Sequence, residues 1–222
     1  MPPDDPVELD GSNTADDPGA IHALLTQLKR EWSAEGAAER AQCFGSAIDA
    51  LKRHLPITAN SPTPVNVLVP GAGLGRLNWE LSLAGYTSLG IERAMTMWMV
   101  EEFVMKALLP SGKSLPVCPF AHEYSAGPTN VRQASHLSRQ VMVPDPEALS
   151  QAADRAAVAL SSSASATSAA SGAASATSAS SAPPIAPSRV IPGDFTQFCM
   201  LPDESAKWEA VISCFYIDAS GT

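Results

Sequence analysis

Between residues 21 and 32 apolar side chains recur at helical spacing, with Ile21, Leu24, Leu25, Leu28 and Trp32 on one stripe and Lys29, Arg30 and Glu31 between the last two. Asp17 and Pro18 precede this run as start signals. A second predicted helix follows Gly36, carries Phe44, Ile48, Leu51 and Leu55 on one face, and stops before Pro56. After a turn-rich connector at 60–64 the pattern changes to a short β-branched run at 65–69, the mark of a buried strand. Gly71, Gly73 and Gly75 come next, and then Leu77, Trp79, Leu81 and Leu83 at a spacing that suits a helix ending near Gly85. Residues 86–91 form a second strand candidate closed by Glu92, and 95–109 a further apolar helix. Strand, glycine loop, helix, strand, acid, helix is the opening of a doubly wound α/β domain. Residues 110–150 mix prolines and polar residues with short apolar runs, and no element is predicted there. Residues 189–191 resume as a third strand, followed by Gly193, Asp194 and Phe195, and 208–218 read as a fourth strand with Asp218 near its end.

Composition changes this picture in two places. Residues 161–182 contain only Ser, Ala, Thr and one Gly, which reads as a linker or disordered insertion. That tract accounts for much of the low charged fraction of 17%. The net charge of −9 is concentrated at the start, where six acids (Asp4, Asp5, Glu8, Asp10, Asp16, Asp17) fall within 17 residues that hold no Lys or Arg. Residues 1–19 therefore read as a disordered acidic tail. The domain order expected is this tail, N-terminal helices with the first part of the domain at 20–150, a low-complexity insertion at 151–188, and the domain's continuation at 189–222. The 222 residues leave about 200 for a core once the tract is removed.

Several classes are set aside on the same grounds. No cluster of Lys and Arg offers a nucleic-acid footprint. The four cysteines lie far apart with no CxxC, which argues against a disulfide framework and against a metal site. The amino terminus lacks the basic and apolar regions of a signal peptide, and no apolar run reaches membrane-spanning length. The expectation is a soluble cytoplasmic chain, with the nucleus also open to it.

The chemistry centres on the glycine loop. A strand-to-helix turn without Cβ atoms lets backbone approach a ligand, and the helix start offers free N–H groups. Glu92 falls 21 residues after Gly71, near the spacing for an acid that accepts from ribose hydroxyls. A nucleoside-containing ligand is implied, and both NAD and S-adenosylmethionine stay open. Arg76 stands where the third glycine of the dinucleotide fingerprint would fall, which disfavours the tight pyrophosphate turn. Trp32, Trp79, Trp98 and Trp208 read as core or interface aromatics, and His122 as structural.

Residues 67–77, VLVPGAGLGRL, with Trp79 and Glu80, resemble the signature of the carnosine N-methyltransferase family. Residues 27–33 and 39–44 are similar to its N-terminal helices, 119–122 and 143–145 to its middle segment, and 193–195 and 214–218 to its third and fourth strands. The resemblance covers about 21–145 and 189–218. It implies a Rossmann-like class I methyltransferase fold that uses S-adenosyl-L-methionine to methylate a ring nitrogen of carnosine or a related histidine-containing peptide. Residue by residue it implies that Gln27 and Arg30 reach over the cofactor, with Arg30 facing the methionine carboxylate. Gly71 and its neighbours would line the methionine, Glu92 the ribose, and Asp194 and Phe195 the adenine. Cys214 would lie on the cofactor side of the fourth strand, and Asp218 would face the methyl acceptor. The family continues beyond its fourth strand, so the chain is expected to be truncated, with a partial sheet in the order 3-2-1-4. Its open fourth strand would make it aggregation-prone or oligomeric, a homodimer included, with cofactor affinity outlasting turnover. The rival readings are a non-catalytic binding module and a nicotinamide-dependent oxidoreductase.

Overall fold

A computed structural model describes residues 18–58, 64–121, 134–168, 186–204 and 206–214. Helix α1 (Pro18–Trp32) opens the described chain, so Pro18 and Gly19, assigned above to the tail, belong to the helix. Helices α2 (Ala37–Arg40) and α3 (Ser46–His54) are joined through a π-helical turn at Ala41–Gly45, matching the second helix read from the sequence. Strand β1 (Asn66–Pro70) leads through the glycine loop into α4 (Arg76–Leu83), and β2 (Thr87–Glu92) into α5 (Met95–Phe103) and α6 (Leu109–Ser111).

The segment 110–150, which gave no periodic signal, holds short elements. Strand β3 (Leu115–Val117) pairs antiparallel with β4 (Val141–Val143), and α7 (Ala134–Leu137) precedes β4. Three-residue strands are too short for a period to register, and Pro116 confines β3 to a two-stranded ribbon. Helix α8 (Pro146–Ser168) is the larger departure. It runs through 151–168, where the sequence suggested an insertion and linker, and takes in the first eight residues of the Ser/Ala tract. Its first turns are anchored, with Ala148 buried and Leu149 and Ala152 packed on the core, and alanine-rich sequence carries the helix onward at little cost. Residues 169–185 lie outside the described residues.

Strand β5 (Ser188–Pro192), α9 (Phe195–Cys199) and β6 (Ala210–Val211) complete the described chain. The main sheet is parallel in the order β5-β2-β1-β6, which is the 3-2-1-4 order expected of the four strands. The fourth strand is much shorter than read from the sequence. Its ladder sets Ala210 and Val211 against Val67 and Leu68, Ile212 N–H donates to Leu68 O at 2.9 Å, and residues 215–222 lie outside the described residues.

Alternation along β1 sorts the core into two faces. Val67 and Val69 pack with Phe44, Ile48, Leu51, Leu77 and Leu81 from α3 and α4 and their π-turn, whereas Leu68 joins Leu89 and Ile91 on the other face beneath Phe195, Phe198 and Trp208. A third cluster under α1 gathers Leu28, Trp32, Leu74, Trp79 and Val104 with the β4 valines. Trp32 and Trp79 are buried there, as core aromatics.

Candidate functional site

Strand order reverses at β1, because the chain builds outward through β2 and β5 and then returns to β1's other edge with β6. The carboxyl ends of strands at such a switch point form the ligand crevice of an open α/β sheet. The glycine loop, Glu92 and Asp194 all lie at this end. Glu92 closes β2, and Gly193, just past β5, donates its N–H to Glu92 O at 2.9 Å.

Gly71, Gly73 and Gly75 have φ of 62°, 58° and 76°, in the left-handed region that a side chain resists. The room left by the missing side chains of Gly73 and Gly75 is used by the protein itself. A Cβ on Gly73 would lie 2.6 Å from both Gln27 Nε2 and Glu31 Oε1, and one on Gly75 would lie 2.8 Å from Glu101 Cγ. The loop is thus clasped between α1 and α5.

Glu31 was not singled out in the sequence, yet it organises this clasp. Only 2% exposed, its carboxylate accepts the N–H of Leu74 at 3.4 Å and of Arg76 at 3.1 Å, at the start of α4. The Arg76 N–H is one of the donors that a helix N-terminus leaves unpaired, and Gly75 has no side chain to cap it. The Gln27 amide donates to Glu31 Oε1, and Arg30 Nη2 donates to Gln27 Oε1, so guanidinium, amide and carboxylate form a relay along one face of α1. The next residue, Trp32, donates its indole N–H to Leu74 O at 2.9 Å. The spacing of Gln27 and Glu31, four apart on one helix, was the available signal. Burial pushes the Glu31 carboxyl up to about 7, against the pull of these donors and of Arg30.

Glu92 is 9% exposed, and each of its oxygens accepts one backbone N–H at 2.8 Å, Oε2 from Gly73 and Oε1 from Ala94. It therefore ties the glycine loop to the end of β2. Burial raises its pKa, while those two donors and the backbone N–H of Arg93 lower it. Asp194 caps α9, accepting the N–H of Thr196 at 2.7 Å and of Gln197 at 3.4 Å on Oδ1. The Thr196 hydroxyl also donates to that oxygen, and this bond leads the causes that hold the Asp194 carboxyl below its usual range. Phe195 is half-buried against Leu68, Leu89 and Ile91. Cys214, just past β6, packs on the α3 side of the sheet; burial chiefly raises its thiol pKa, Cys43 adds to the rise, and the charge of Arg30 lowers it. Gln27, Arg30, Gly71, Gly73, Gly75, Glu92, Asp194, Phe195 and Cys214 are thus drawn from elements around one end of the sheet. Asp218 and His122 lie outside the described residues.

Arg76, read from the sequence as an obstacle to a pyrophosphate turn, has a structural task. Its guanidinium sits 2.9 Å from Glu80 and 3.4 Å from Asp145, over the Trp32 ring at 5.1 Å. Arg40 reaches the same Asp145 oxygen at 2.8 Å, and Asp145 Oδ1 accepts the Ala148 N–H at 2.7 Å to cap α8. This buried network braces α2, α4 and α8 behind the loop.

Chemically the crevice suits a ligand that carries both hydroxyl donors and positive charge. It presents carboxylates from Glu92 and Asp194, while on the α5 side of the loop Glu101, 4% exposed, packs against Gly75 and has an Oε2 with no hydrogen-bond partner among the described residues. Among the described residues no helix is long and apolar enough to cross a membrane.

Comparison with known proteins places the chain in a family. The family model for carnosine N-methyltransferase matches residues 9–221. Carnosine N-methyltransferase of Mus musculus is 28% identical over 200 residues, covering 90% of this chain and 40% of the mouse protein, and that of Rattus norvegicus matches to the same extent. The Dictyostelium discoideum protein of the same name is 33% identical over 128 residues, 56% of this chain and 26% of its own length. The chain spans about 40% of the length of the mammalian relatives it matches.

Proposed function

The chain belongs to the carnosine N-methyltransferase family, and from that premise we propose that it binds S-adenosyl-L-methionine in the crevice at the carboxyl end of its sheet and serves methyl transfer to an imidazole nitrogen of carnosine or a related histidine-containing peptide. The observation that carries the reading is the meeting of the left-handed glycine loop, Glu92 and Asp194 at the ends of β1, β2 and β5, beneath the Gln27–Arg30 face of α1. Family membership does not favour the nicotinamide-dependent alternative.

In this reading Glu92 accepts from the ribose hydroxyls with the lone pairs that its backbone donors Gly73, Ala94 and Arg93 leave. Asp194 keeps Oδ1 for its helix cap and turns its other oxygen to the adenine amine, with Phe195 against the ring. Gly71 and its neighbours line the methionine, Arg30 meets its carboxylate, and Cys214 lies on the far wall. When bound, the cofactor supplies an electrophilic methyl group on a sulfonium. The protein's work is alignment, since holding a neutral ring nitrogen in line with that carbon removes most of the entropic barrier. Asp218 accepts from the other ring N–H and so selects the tautomer whose free nitrogen attacks.

Calorimetric titration with S-adenosylhomocysteine, NAD and NADP, followed by a tritiated-methyl transfer assay with carnosine, tests both steps. We expect S-adenosylhomocysteine to bind and the nicotinamide cofactors not to. Binding of NAD alone would overturn the reading, and binding without transfer would restrict this chain to the cofactor-holding half of the reaction.

A further inference from the structure

Two buried acids flank the glycine loop, one from each side. Glu31 reaches it from α1, with Oε1 2.6 Å from where a Cβ of Gly73 would stand. Glu101 reaches it from α5, with Cγ 2.8 Å and Oε1 3.1 Å from where a Cβ of Gly75 would stand. Glu31 is satisfied by backbone and amide donors, whereas Glu101 Oε2 is buried without one among the described residues. We propose that Glu31 and Glu101 act as a carboxylate pair that retains a proton in the free protein and releases it when a cationic group of the ligand settles beside Glu101. The inference rests on the cofactor reading above and deepens it, because S-adenosyl-L-methionine carries two cationic groups, an α-ammonium and a sulfonium.

The charges around the pair favour this behaviour. Glu101 feels ionised Glu102 and Glu31, both of which oppose its own ionisation, and Lys106, which favours it; Glu31 feels Arg30. Burial is the largest cause for each, and both carboxyls are pushed up to about 7. Two carboxyls buried on either side of one loop resist ionising near neutrality unless a cation joins them. A ligand cation at Glu101 Oε2 supplies the missing donor and the missing charge together, and the displaced proton passes to solvent.

The first arm of the test uses the free protein. With glutamate labelled at the side-chain carboxyl carbon, NMR should show carboxyls titrating near pH 7, and Glu101→Gln should remove one of these titrations. If all glutamates titrate in the ordinary range, no such pair exists and the inference fails, whatever the protein binds. The second arm is calorimetry in two buffers of different ionisation enthalpy. S-adenosyl-L-methionine should release close to one proton near pH 6 and bind about tenfold more weakly at pH 6 than at pH 8, and Glu101→Gln should abolish both effects. Release with S-adenosylhomocysteine as well assigns the cation to the ammonium; release with S-adenosyl-L-methionine alone assigns it to the sulfonium. Binding without proton release, or an unchanged pH slope in Glu101→Gln, overturns the inference and leaves the proposed function standing. No binding by either ligand overturns the proposed function, and the ligand assigned here with it.

Discussion

Each oxygen of Glu92 holds one backbone N–H, so the residue ties down the glycine loop as well as facing the proposed ribose. Glu92→Ala would leave the Gly73 and Ala94 N–H groups without their acceptor. A lost buried partner of this kind costs about 1–3 kcal/mol. We expect chemical denaturation to show a loss of that order and calorimetry to show cofactor affinity weakened about tenfold or more, equivalent to about 1.4 kcal/mol. An unaltered dissociation constant would remove Glu92 from the site, while unaltered stability would mean that the loop holds its shape without it. The sequence carries half of this. Its position at the end of an apolar strand, 21 residues past Gly71, marks Glu92 as a candidate ligand-facing acid. That the same carboxylate holds the loop depends on loop backbone curling back over β2, which no spacing encodes. Glu31 and Glu101 mark the limit more plainly. On α1 a glutamate between Arg30 and Trp32 looks like one of several polar residues, and only the docking of the helix on the loop buries it.

At the scale of elements, Asp145 is the junction. It caps α8 through Oδ1 and holds Arg40 and Arg76 through Oδ2, with all three side chains buried. Replacing Asp145 with Asn keeps a capping oxygen but removes the charge that both guanidinium groups face, leaving Glu80 as their nearest acid. Breaking one partner of a buried ion pair costs about 3–5 kcal/mol. We expect Asp145→Asn to lower the unfolding free energy by about that amount in urea or guanidinium, and a loss under about 1 kcal/mol would show that solvent reaches the network. Such a junction is invisible locally, since Arg40, Arg76 and Asp145 are separated by dozens of residues. The strongly periodic elements were legible for the opposite reason. Helices α1 and α3 and strands β1, β2 and β5 each bury one face or one run against the core, so the burial pattern is written into the residues themselves. Strands β3 and β4 are three residues long and escaped the same reading. Helix α8 escaped because serine and alanine carry no apolar period, although the anchored turn before them starts a helix that they continue.

For the molecule as a whole, the buried acids set how stability depends on pH. A carboxyl whose folded pKa is raised contributes stability that is complete below its unfolded value and is lost as pH rises through the folded one. For Glu31 and Glu101 the window runs from about 4.5 to about 7. The free protein should therefore become less stable between pH 5 and pH 8, by about 2 kcal/mol once sharing of the pair's proton is allowed for. Thermal unfolding at the two pH values would read this directly, and Glu101→Gln should flatten it. A midpoint that rises over that interval would contradict the assignment of both acids. A saturating cationic cofactor should offset the loss at pH 8, since a ligand at a hundredfold its dissociation constant adds about 2.7 kcal/mol.

The residues alone determine the class of this protein: a parallel α/β domain with a glycine loop after its first strand, an acid after its second, and the motif that marks its family. They do so because strands, helices and turns are specified over a few neighbouring positions, and the order of strands follows from how such units wind. What the tertiary structure alone decides is where charge is buried. Whether Glu31 is a surface residue of α1 or the cap of α4, and whether Glu101 faces water or Gly75, depends on how separate helices close over one loop. Burial then turns ordinary carboxylates into groups that hold a proton near neutrality, because an ion loses its water there and gains only what the fold puts beside it.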